Sequence, residues 1–234
     1  MSEPVFHRYE TREALAEALA SGVAAVLAGA IATEGTARLV VSGGSTPKLF
    51  FEKLAETEID WQAVTITLVD ERWVPQNHPR SNAAMLRQHL LTGPAAAAHF
   101  VPFYEPSEIP EEVLDTLNDR FHRIGRRFDA AILGMGTDGH TASWFPNAPG
   151  LGESLDPQTE KSVAIVHPND GLEARTTLTF PMIIDARFLA LHIEGDEKLR
   201  TFEAAKAEGP VEDMPVRAVL RADREPSLAV FWAP

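Results

Sequence analysis

Short apolar runs rich in β-branched residues alternate along the chain with longer segments of helical character. Such alternation is typical of α/β proteins, in which parallel strands are joined by crossover helices. The predicted strands are Arg38–Ser42, Val64–Val69, Asp129–Leu133, Ser162–Val166, Thr176–Phe180, Phe188–Ile193 and Ser227–Trp232. The predicted helices run from Thr11 to about Ala32, Pro47 to about Ala55, Ser81 to about Leu91, Glu111 to about Arg126 and Asp196 to about Ala207. We therefore expect an α/β fold with an open, mostly parallel sheet and helices on both faces.

The helix starts and the connections between elements are short and well marked. Thr11 and Ser81 are residue types that cap helices, and Pro47 suits a first helical turn. The sequence contains no internal repeat and no long linker. We therefore expect one domain that spans residues 1–234.

Three predicted strands end in loops rich in glycine, hydroxyl groups or charge. These loops are Ser42–Thr46, Asp70–Arg72 and Gly136–His140. Ligands of open α/β sheets bind beyond the carboxyl ends of the strands. We therefore expect the three loops to meet at one edge of the sheet and to form a ligand site there.

The first of these loops has the composition of an anion site. Gly43 and Gly44 let a backbone approach an anion closely, and the N–H groups of a following helix start point toward it. The hydroxyls of Ser45 and Thr46 are further donors. The loop lacks the Gly-Lys-Ser/Thr of a P-loop and the GxGxxG of dinucleotide sites. A tight turn with a helix cap explains the same residues, so this loop alone leaves phosphate binding open.

The third loop contains a histidine among glycines. Gly136 and Gly139 permit unusual backbone dihedral angles that can hold His140 in one place. An imidazole titrates near neutral pH and is a natural general base for activating water. Asp138 or another carboxylate could orient the ring. A histidine that only hydrogen-bonds a turn is the simpler explanation, but the glycine-rich strand end favours a functional role.

Charged residues stand in one of these three loops and at two further strand boundaries. Asp70 and Arg72 directly follow a buried strand, where a carboxylate could orient a base and a guanidinium could contact an anion. Lys198 lies where a strand becomes a helix, and Arg175 precedes a strand. Both are candidates to hold phosphate. Each of these residues could equally be a solvated surface charge.

Composition excludes several classes of function. The 234 residues contain 21 Lys and Arg against 34 Asp and Glu, a net charge of −13, which disfavours nucleic acid and anionic membranes as partners. The chain has no cysteine, so disulfides, thiolate catalysis and Cys-zinc sites are excluded, and the other histidines lack metal spacing. We therefore expect no metal or cofactor. The polar N-terminus and the interrupted Ala-rich stretch of residues 14–32 predict neither a signal peptide nor a membrane span, and hence a cytoplasmic protein.

In combination, seven segments of the sequence resemble the 6-phosphogluconolactonase family, which belongs to the superfamily that also includes glucosamine-6-phosphate isomerases. The segments that carry the resemblance are VSGGSTP (41–47), DERWVP (70–75), SN (81–82), GMGTDGHTAS (134–143), RTTLT (175–179), GDEK (195–198) and PVRAVL (215–220). They extend over nearly the whole chain in the family's order and spacing. Trp144 departs from the leucine usual in the family, and Asp196 and Glu197 add negative charge before Lys198.

The resemblance implies a Rossmann-like fold of the sugar-phosphate isomerase/deaminase type and hydrolysis of 6-phospho-D-glucono-1,5-lactone in the oxidative pentose phosphate pathway. It implies that His140 is the general base with Asp70 as its charge partner, although the residues alone leave Asp138 as the alternative. It further implies that Arg72 contacts negative charge on the substrate. The implied phosphate-binding residues are Gly43, Gly44, Ser45, Thr46, Lys198 and Arg175. The expected partner is this small lactone, and the expected state is a monomer or weak homo-oligomer.

Two other functions compete with lactone hydrolysis. An aminosugar-phosphate deaminase would share the glycine-rich loops but carry a glutamate shortly after the histidine. Ser143–Pro146 (SWFP) contains no carboxylate there. A non-catalytic sugar-phosphate sensor would need the phosphate loop alone, whereas this chain has Asp70, Arg72 and His140 as well.

Overall fold

The computed structural model describes residues 3–125, 127–169 and 171–234. Its strands are β1 (Val5–Arg8), β2 (Ala37–Val41), β3 (Val64–Leu68), β4 (Asp70–Arg72), β5 (His99–Val101), β6 (Ala130–Leu133), β7 (Val163–Val166), β8 (Arg175–Leu178), β9 (Phe188–Glu194) and β10 (Ala229–Ala233). Its α-helices are α1 (Arg12–Glu34), α2 (Lys48–Ala55), α3 (Asn82–His89), α4 (Leu114–Ile124), α5 (Leu151–Leu155), α6 (Phe180–Ile184), α7 (Gly195–Lys206) and α8 (Val216–Leu220).

Seven strands form the main sheet, in the order β1-β10-β9-β6-β2-β3-β5. Every neighbouring pair in it is parallel. All residues of β6 and β10 are buried, so both faces of the sheet are covered. The predicted α/β fold with a mostly parallel sheet is confirmed.

The long helix α1 packs against α2 and lies across β2, β10, β6 and β9. Thr11 caps it as predicted, because its hydroxyl accepts from the Ala14 N–H at 3.1 Å. By length and composition α1 could cross a membrane, with a mean hydropathy of 1.9 over an 18-residue window, so the interruptions of the Ala-rich stretch do not exclude a span, contrary to the sequence-based prediction. Glu17 and Ser21 are too few to offset the Ala and Leu residues around them. The side chains of Leu15, Leu19 and Leu27 are nevertheless completely buried in the core of this fold.

A second, smaller sheet departs from the prediction. Asp70–Arg72 is not a loop but strand β4, and it pairs antiparallel with β8, which pairs antiparallel with β7. The predicted strands at Ser162–Val166 and Thr176–Phe180 therefore belong to this sheet and not to the main one. Apolar and β-branched residues identify a buried strand, but they do not say which sheet it joins.

Element ends differ from the prediction where the local signal was weak. β8 stops at Leu178, because Pro181 lies in the first turn of α6. The helix predicted from Glu111 begins at Leu114 after a 3-10 turn and ends at Ile124, while Arg126 lies outside the described residues. The strands β1 and β5 were not predicted. They are only four and three residues long, too short for a periodic signal.

Candidate active site

A cleft of about 380 Å³ opens at the carboxyl ends of the neighbouring strands β6, β2 and β3. Residues from all three predicted loops line it, together with Lys198 and Arg175. The predicted meeting of the loops is confirmed. It follows from the topology, because parallel neighbours deliver their carboxyl ends to the same edge.

His140 forms the cleft wall beyond β6, and a carboxylate fixes its ring. The Nδ1 atom of His140 lies 2.6 Å from Oδ1 of Asp138, and the His140 backbone N–H donates to the same oxygen at 3.0 Å. Partial burial raises the pKa of Asp138, but the hydrogen bonds and charge of His140 outweigh it and lower this pKa below its ordinary value. An ionised carboxylate on Nδ1 makes that nitrogen the N–H donor. Nε2 is then the nitrogen available to accept a proton.

Gly136 makes room for this pair. A Cβ atom at Gly136 would lie 2.2 Å from both Cε1 and Nδ1 of His140 and 2.6 Å from Oδ1 of Asp138. Gly139 is required for a second reason, because its φ of +82° is in the left-handed region. The glycines therefore determine where the imidazole lies.

The His140 loop is anchored on both sides. The Thr141 hydroxyl donates to the Gly134 carbonyl at 2.7 Å, and the Val216 N–H donates to the Gly139 carbonyl at 2.9 Å. Ala142, which also lines the cleft, has a φ of +50°, a conformation that costs a non-glycine residue about 1–2 kcal/mol. Such local strain is common at functional sites.

Asp70 does not hydrogen-bond the imidazole, which Asp138 binds instead; its expected role as the charge partner of His140 stays a prediction. Its Oδ2 instead accepts from the Ser143 hydroxyl at 2.6 Å. Asp70 lies on β4, whereas Asp138 lies two residues from His140 on the same loop and therefore makes the direct contact with the ring. Burial raises the pKa of Asp70 above its ordinary value, although the Ser143 hydrogen bond and the charges of Arg72, His140 and Arg175 oppose this. The interaction between Asp70 and His140 is therefore one of charge and not a hydrogen bond.

Two arginines face the cleft from adjacent strands. Arg72 on β4 is directly opposite Arg175 on β8 in the strand register. Burial and the charge of Arg72 lower the pKa of Arg175. Like charges in opposite positions of a strand pair are unfavourable unless an anion lies between them. The pair is therefore suited to hold a negatively charged part of a ligand.

The Arg72 guanidinium is fixed by a residue that was not among the predicted site residues. Asn82, at the start of α3, accepts from Arg72 Nη1 at 2.7 Å and donates to the Asp70 carbonyl at 2.9 Å. A Cβ at Gly43 would lie 2.1 Å from Oδ1 of Asn82, so the Asn82 side-chain amide can occupy this position only because residue 43 is glycine. Asn82 thereby joins the first loop to β4. Its presence in the SN pair of the family resemblance was the available signal.

Ser143 and His192 also belong to the site and were not predicted as site residues. Ser143 is completely buried and binds Asp70 as described above. His192, on β9, lines the cleft beside Lys198 and is 2% exposed. Ser143 ends the GMGTDGHTAS segment of the family resemblance, whereas His192 has no distinguishing sequence pattern and is placed here only by the fold.

The predicted phosphate loop, Ser42–Thr46, forms one side of the cleft. Gly43, Gly44, Ser45 and Thr46 all line it, and Gly44 has a φ of +94°. Lys198, from the first turn of α7, donates to Thr46 Oγ1 at 3.0 Å. Asp196 and Glu197 are exposed and do not line the cleft, so their charges are directed away from this loop.

Glu71 has a structural role beside the site. It is buried and accepts from the Ser81 hydroxyl and the Asn82 and Ala83 N–H groups at 2.7–2.9 Å. These are the donors at the N-terminus of α3, so Glu71 satisfies that helix end. Within residues 3–125, 127–169 and 171–234, no group of three or more His, Cys, Asp or Glu is arranged to hold a metal ion.

The chain matches the family model described as glucosamine-6-phosphate isomerases/6-phosphogluconolactonase over residues 10–231. It is a member of this family. Among its relatives, the 6-phosphogluconolactonase of Rhizobium meliloti is 48% identical, with 97% of this chain and 98% of that protein covered. The 6-phosphogluconolactonase of Mesorhizobium japonicum is 46% identical, with coverage of 98% and 95%.

A solved structure of a family member has the same fold throughout. The crystal structure of a 6-phosphogluconolactonase from Shewanella baltica superposes with a TM-score of 0.95 at 39% identity. The match covers 100% of this chain and 99% of that one. The cleft described above is therefore built on the complete fold of the family.

Proposed function

We propose that this chain is an enzyme that hydrolyses 6-phospho-D-glucono-1,5-lactone to 6-phospho-D-gluconate. The single observation that carries the proposal is the His140–Asp138 pair, which stands with a free Nε2 in the same cleft as the phosphate loop and Lys198. Two full-length relatives bear the name of this activity. An imidazole base at one side and anion-binding groups at the other match a phosphorylated substrate that water attacks.

The reaction follows from the chemistry of the lactone and this geometry. Nε2 of His140 takes a proton from water as the water oxygen bonds to C1. Asp138 stabilises the imidazolium that forms, as a carboxylate does in serine hydrolases. The C1–O5 bond then breaks, and the imidazolium returns the proton to the ring oxygen, which leaves as the C5 hydroxyl. General base catalysis of this kind contributes roughly 10²–10⁴-fold.

The remaining side chains bind and orient the substrate. The N–H and hydroxyl groups of residues 43–46, with Lys198 and Arg175, hold the phosphate, and orientation of this kind lowers the barrier to reaction at the far end. The Arg72 guanidinium, which Asn82 holds in place, contacts negative charge on the same substrate. Asp70 is anchored by the Ser143 hydroxyl and interacts with His140 through charge.

The experiment measures hydrolysis of freshly generated 6-phosphoglucono-1,5-lactone against its spontaneous background, with and without a chelator. The proposal predicts acceleration that the chelator does not change. Glucono-1,5-lactone, which lacks the phosphate, should be a far poorer substrate because the phosphate loop and its cations have nothing to bind. Absence of acceleration by folded protein would contradict the proposal.

Aminosugar-phosphate deamination is tested in parallel, with glucosamine 6-phosphate as substrate and release of ammonia as the readout. We expect none, because the segment after His140 presents Ser143, bound to Asp70, and a buried Trp144, whose indole donates to the Leu178 carbonyl at 3.1 Å. Ammonia release without lactone hydrolysis would contradict the lactonase assignment and identify the chain as an aminosugar-phosphate deaminase.

We further propose a soluble, cytoplasmic protein that works as a monomer or weak homo-oligomer. The burial of the apolar residues of α1 in the core supports solubility. Light scattering coupled to size-exclusion chromatography measures the mass, and a stable species larger than one 25.6 kDa chain at micromolar concentration would contradict the second part.

A further inference from the structure

Phe145 belongs to the cleft wall but has no role in the reaction described above. It is only half-buried, whereas its neighbour Trp144 and Phe51, a second phenylalanine of the wall, are completely buried in the core. Burial in an apolar core, the ordinary reason for a phenylalanine, accounts for those two side chains but not for Phe145. Part of the Phe145 ring therefore forms surface of the cleft.

This ring contacts the imidazole of the proposed base. The ring centroids of Phe145 and His140 lie 4.8 Å apart, and the ring planes are tilted by 47°. Aromatic rings at such distances attract each other beyond the apolar area that they bury. Asp138 holds Nδ1 of His140, and the imidazole is partly exposed. One hydrogen bond to Nδ1 leaves the ring able to swing, and the contact with Phe145 limits that motion.

The same ring contacts the guanidinium of Arg175. The Arg175 Cζ atom lies over the Phe145 ring, 5.8 Å from its centroid, within the roughly 6 Å at which an aromatic face attracts a cation. The Arg175 side chain is 8% exposed, and its Nη1 donates to the Glu173 carbonyl at 2.8 Å. Arg175 also stands opposite the like charge of Arg72 in the strand register. The attraction of Phe145 and Glu173 therefore keeps the guanidinium in the cleft against this repulsion.

The backbone around Phe145 is anchored, so the ring is a fixed support. The Phe145 N–H donates to the Ser143 carbonyl at 3.1 Å, and the Phe145 carbonyl accepts from the Ala148 N–H at 3.2 Å. The segment is also tied to a distant part of the chain, because the Asn147 N–H donates to the Glu212 carbonyl at 3.1 Å. A ring on such a segment can hold longer side chains in place.

We propose that Phe145 is a positioning residue: its ring contacts both the imidazole of His140 and the guanidinium of Arg175, and so holds the base and an anion-binding cation in place relative to each other. This inference rests on the proposed function for the roles of His140 and Arg175. The ring itself exchanges no proton and forms no bond with the substrate. Its effect is preorganisation, because the substrate then meets a base and a cation that need not rearrange.

The test compares Phe145→Leu and Phe145→Tyr with the matched control Phe100→Leu. Leucine at position 145 keeps an apolar side chain but lacks the ring face, and tyrosine restores that face. Phe100 offers the control because the Arg87 guanidinium lies over its ring at 4.9 Å, and neither residue lines the cleft. The melting temperature, kcat and KM for the phosphorylated lactone, and the dissociation constant of 6-phosphogluconate by calorimetry are measured for each variant.

Phe145→Leu should lower kcat by about tenfold, because the imidazole is no longer held in its productive place. It should also weaken the binding of 6-phosphogluconate by about threefold to tenfold, the range of one lost cation–π contact. Phe145→Tyr should restore both quantities to within about twofold, since the ring face is kept. Phe100→Leu should leave both unchanged, although it removes a similar arginine–ring contact. A merely structural role would lower the melting temperature of Phe145→Leu and leave kcat and binding of the folded protein unchanged.

An NMR measurement tests the contact with His140 without turnover. A proton near an aromatic ring is shifted by the ring current, so the Hε1 resonance of His140 should move in Phe145→Leu and not in Phe100→Leu. This resonance is identified by its absence from the spectrum of His140→Ala. Wild-type kcat, binding and Hε1 shift in Phe145→Leu would overturn the inference. Lack of lactone hydrolysis by the wild-type protein would overturn the proposed function instead, and the resonance and the dissociation constants would still test the two contacts of Phe145.

Discussion

Gly136→Ala should displace the catalytic imidazole while leaving the fold in place. The added methyl carbon would lie 2.2 Å from two atoms of the His140 ring, far inside ordinary van der Waals contact. The backbone of Gly136 is not in the left-handed region, so alanine strains only this contact. The ring must move by more than about 1 Å, which is the misplacement that costs about 10²-fold in rate.

The stability cost of this substitution should be small, about 1 kcal/mol, because His140 is partly exposed and can rotate outward. The assay is kcat for the phosphorylated lactone together with the melting temperature. Gly134→Ala is the matched control in the same loop, since a Cβ there meets Ser42 only at 3.7 Å. A Gly136→Ala enzyme with near wild-type kcat would refute the argument that the His140–Asp138 geometry limits the reaction.

Three further variants test the surrounding contacts. Asp138→Asn should lower kcat by roughly 10³–10⁴-fold at an unchanged melting temperature, since the amide no longer stabilises the imidazolium; a smaller loss than tenfold would contradict the pairing. Ser143→Ala removes the hydroxyl that lowers the pKa of Asp70, so the acid limb of the pH–rate profile should move to higher pH; a shift to lower pH would reverse the assigned sign. Asn82→Ala frees the Arg72 guanidinium and should raise KM by about tenfold, and an unchanged KM would show that Arg72 needs no fixing.

The position of the site could be predicted from the sequence because it depends on topology. Apolar runs that end at Ser42, Asp70 and Gly134 mark strand ends, and parallel neighbours bring such ends together. The predicted fold class followed from the same alternation. These inferences needed no knowledge of side-chain positions.

The pairing of the carboxylates could not be predicted in the same way. Asp70 and Asp138 both follow strands that end at the cleft, and the choice between them is made by the turn at Gly139 and by the Ser143 hydroxyl. The fold of β4 into a second sheet was equally hidden, since its partner β8 lies about a hundred residues further along the chain. His192 is a single polar residue with no pattern around it, so only its three-dimensional neighbours reveal it, and the SN pair of the family resemblance marked Asn82 without showing its contacts with Arg72 and Asp70.

Turnover by His140→Ala is the most direct test of the role of His140 as the general base. Its rate on the phosphorylated lactone is compared with wild type, while calorimetry follows the binding of 6-phosphogluconate. We expect a loss of at least about 10²-fold in kcat with phosphate binding kept, because the base is removed and residues 43–46 with Lys198 are not. Near wild-type turnover by this variant would contradict the role of His140 and the mechanism built on it.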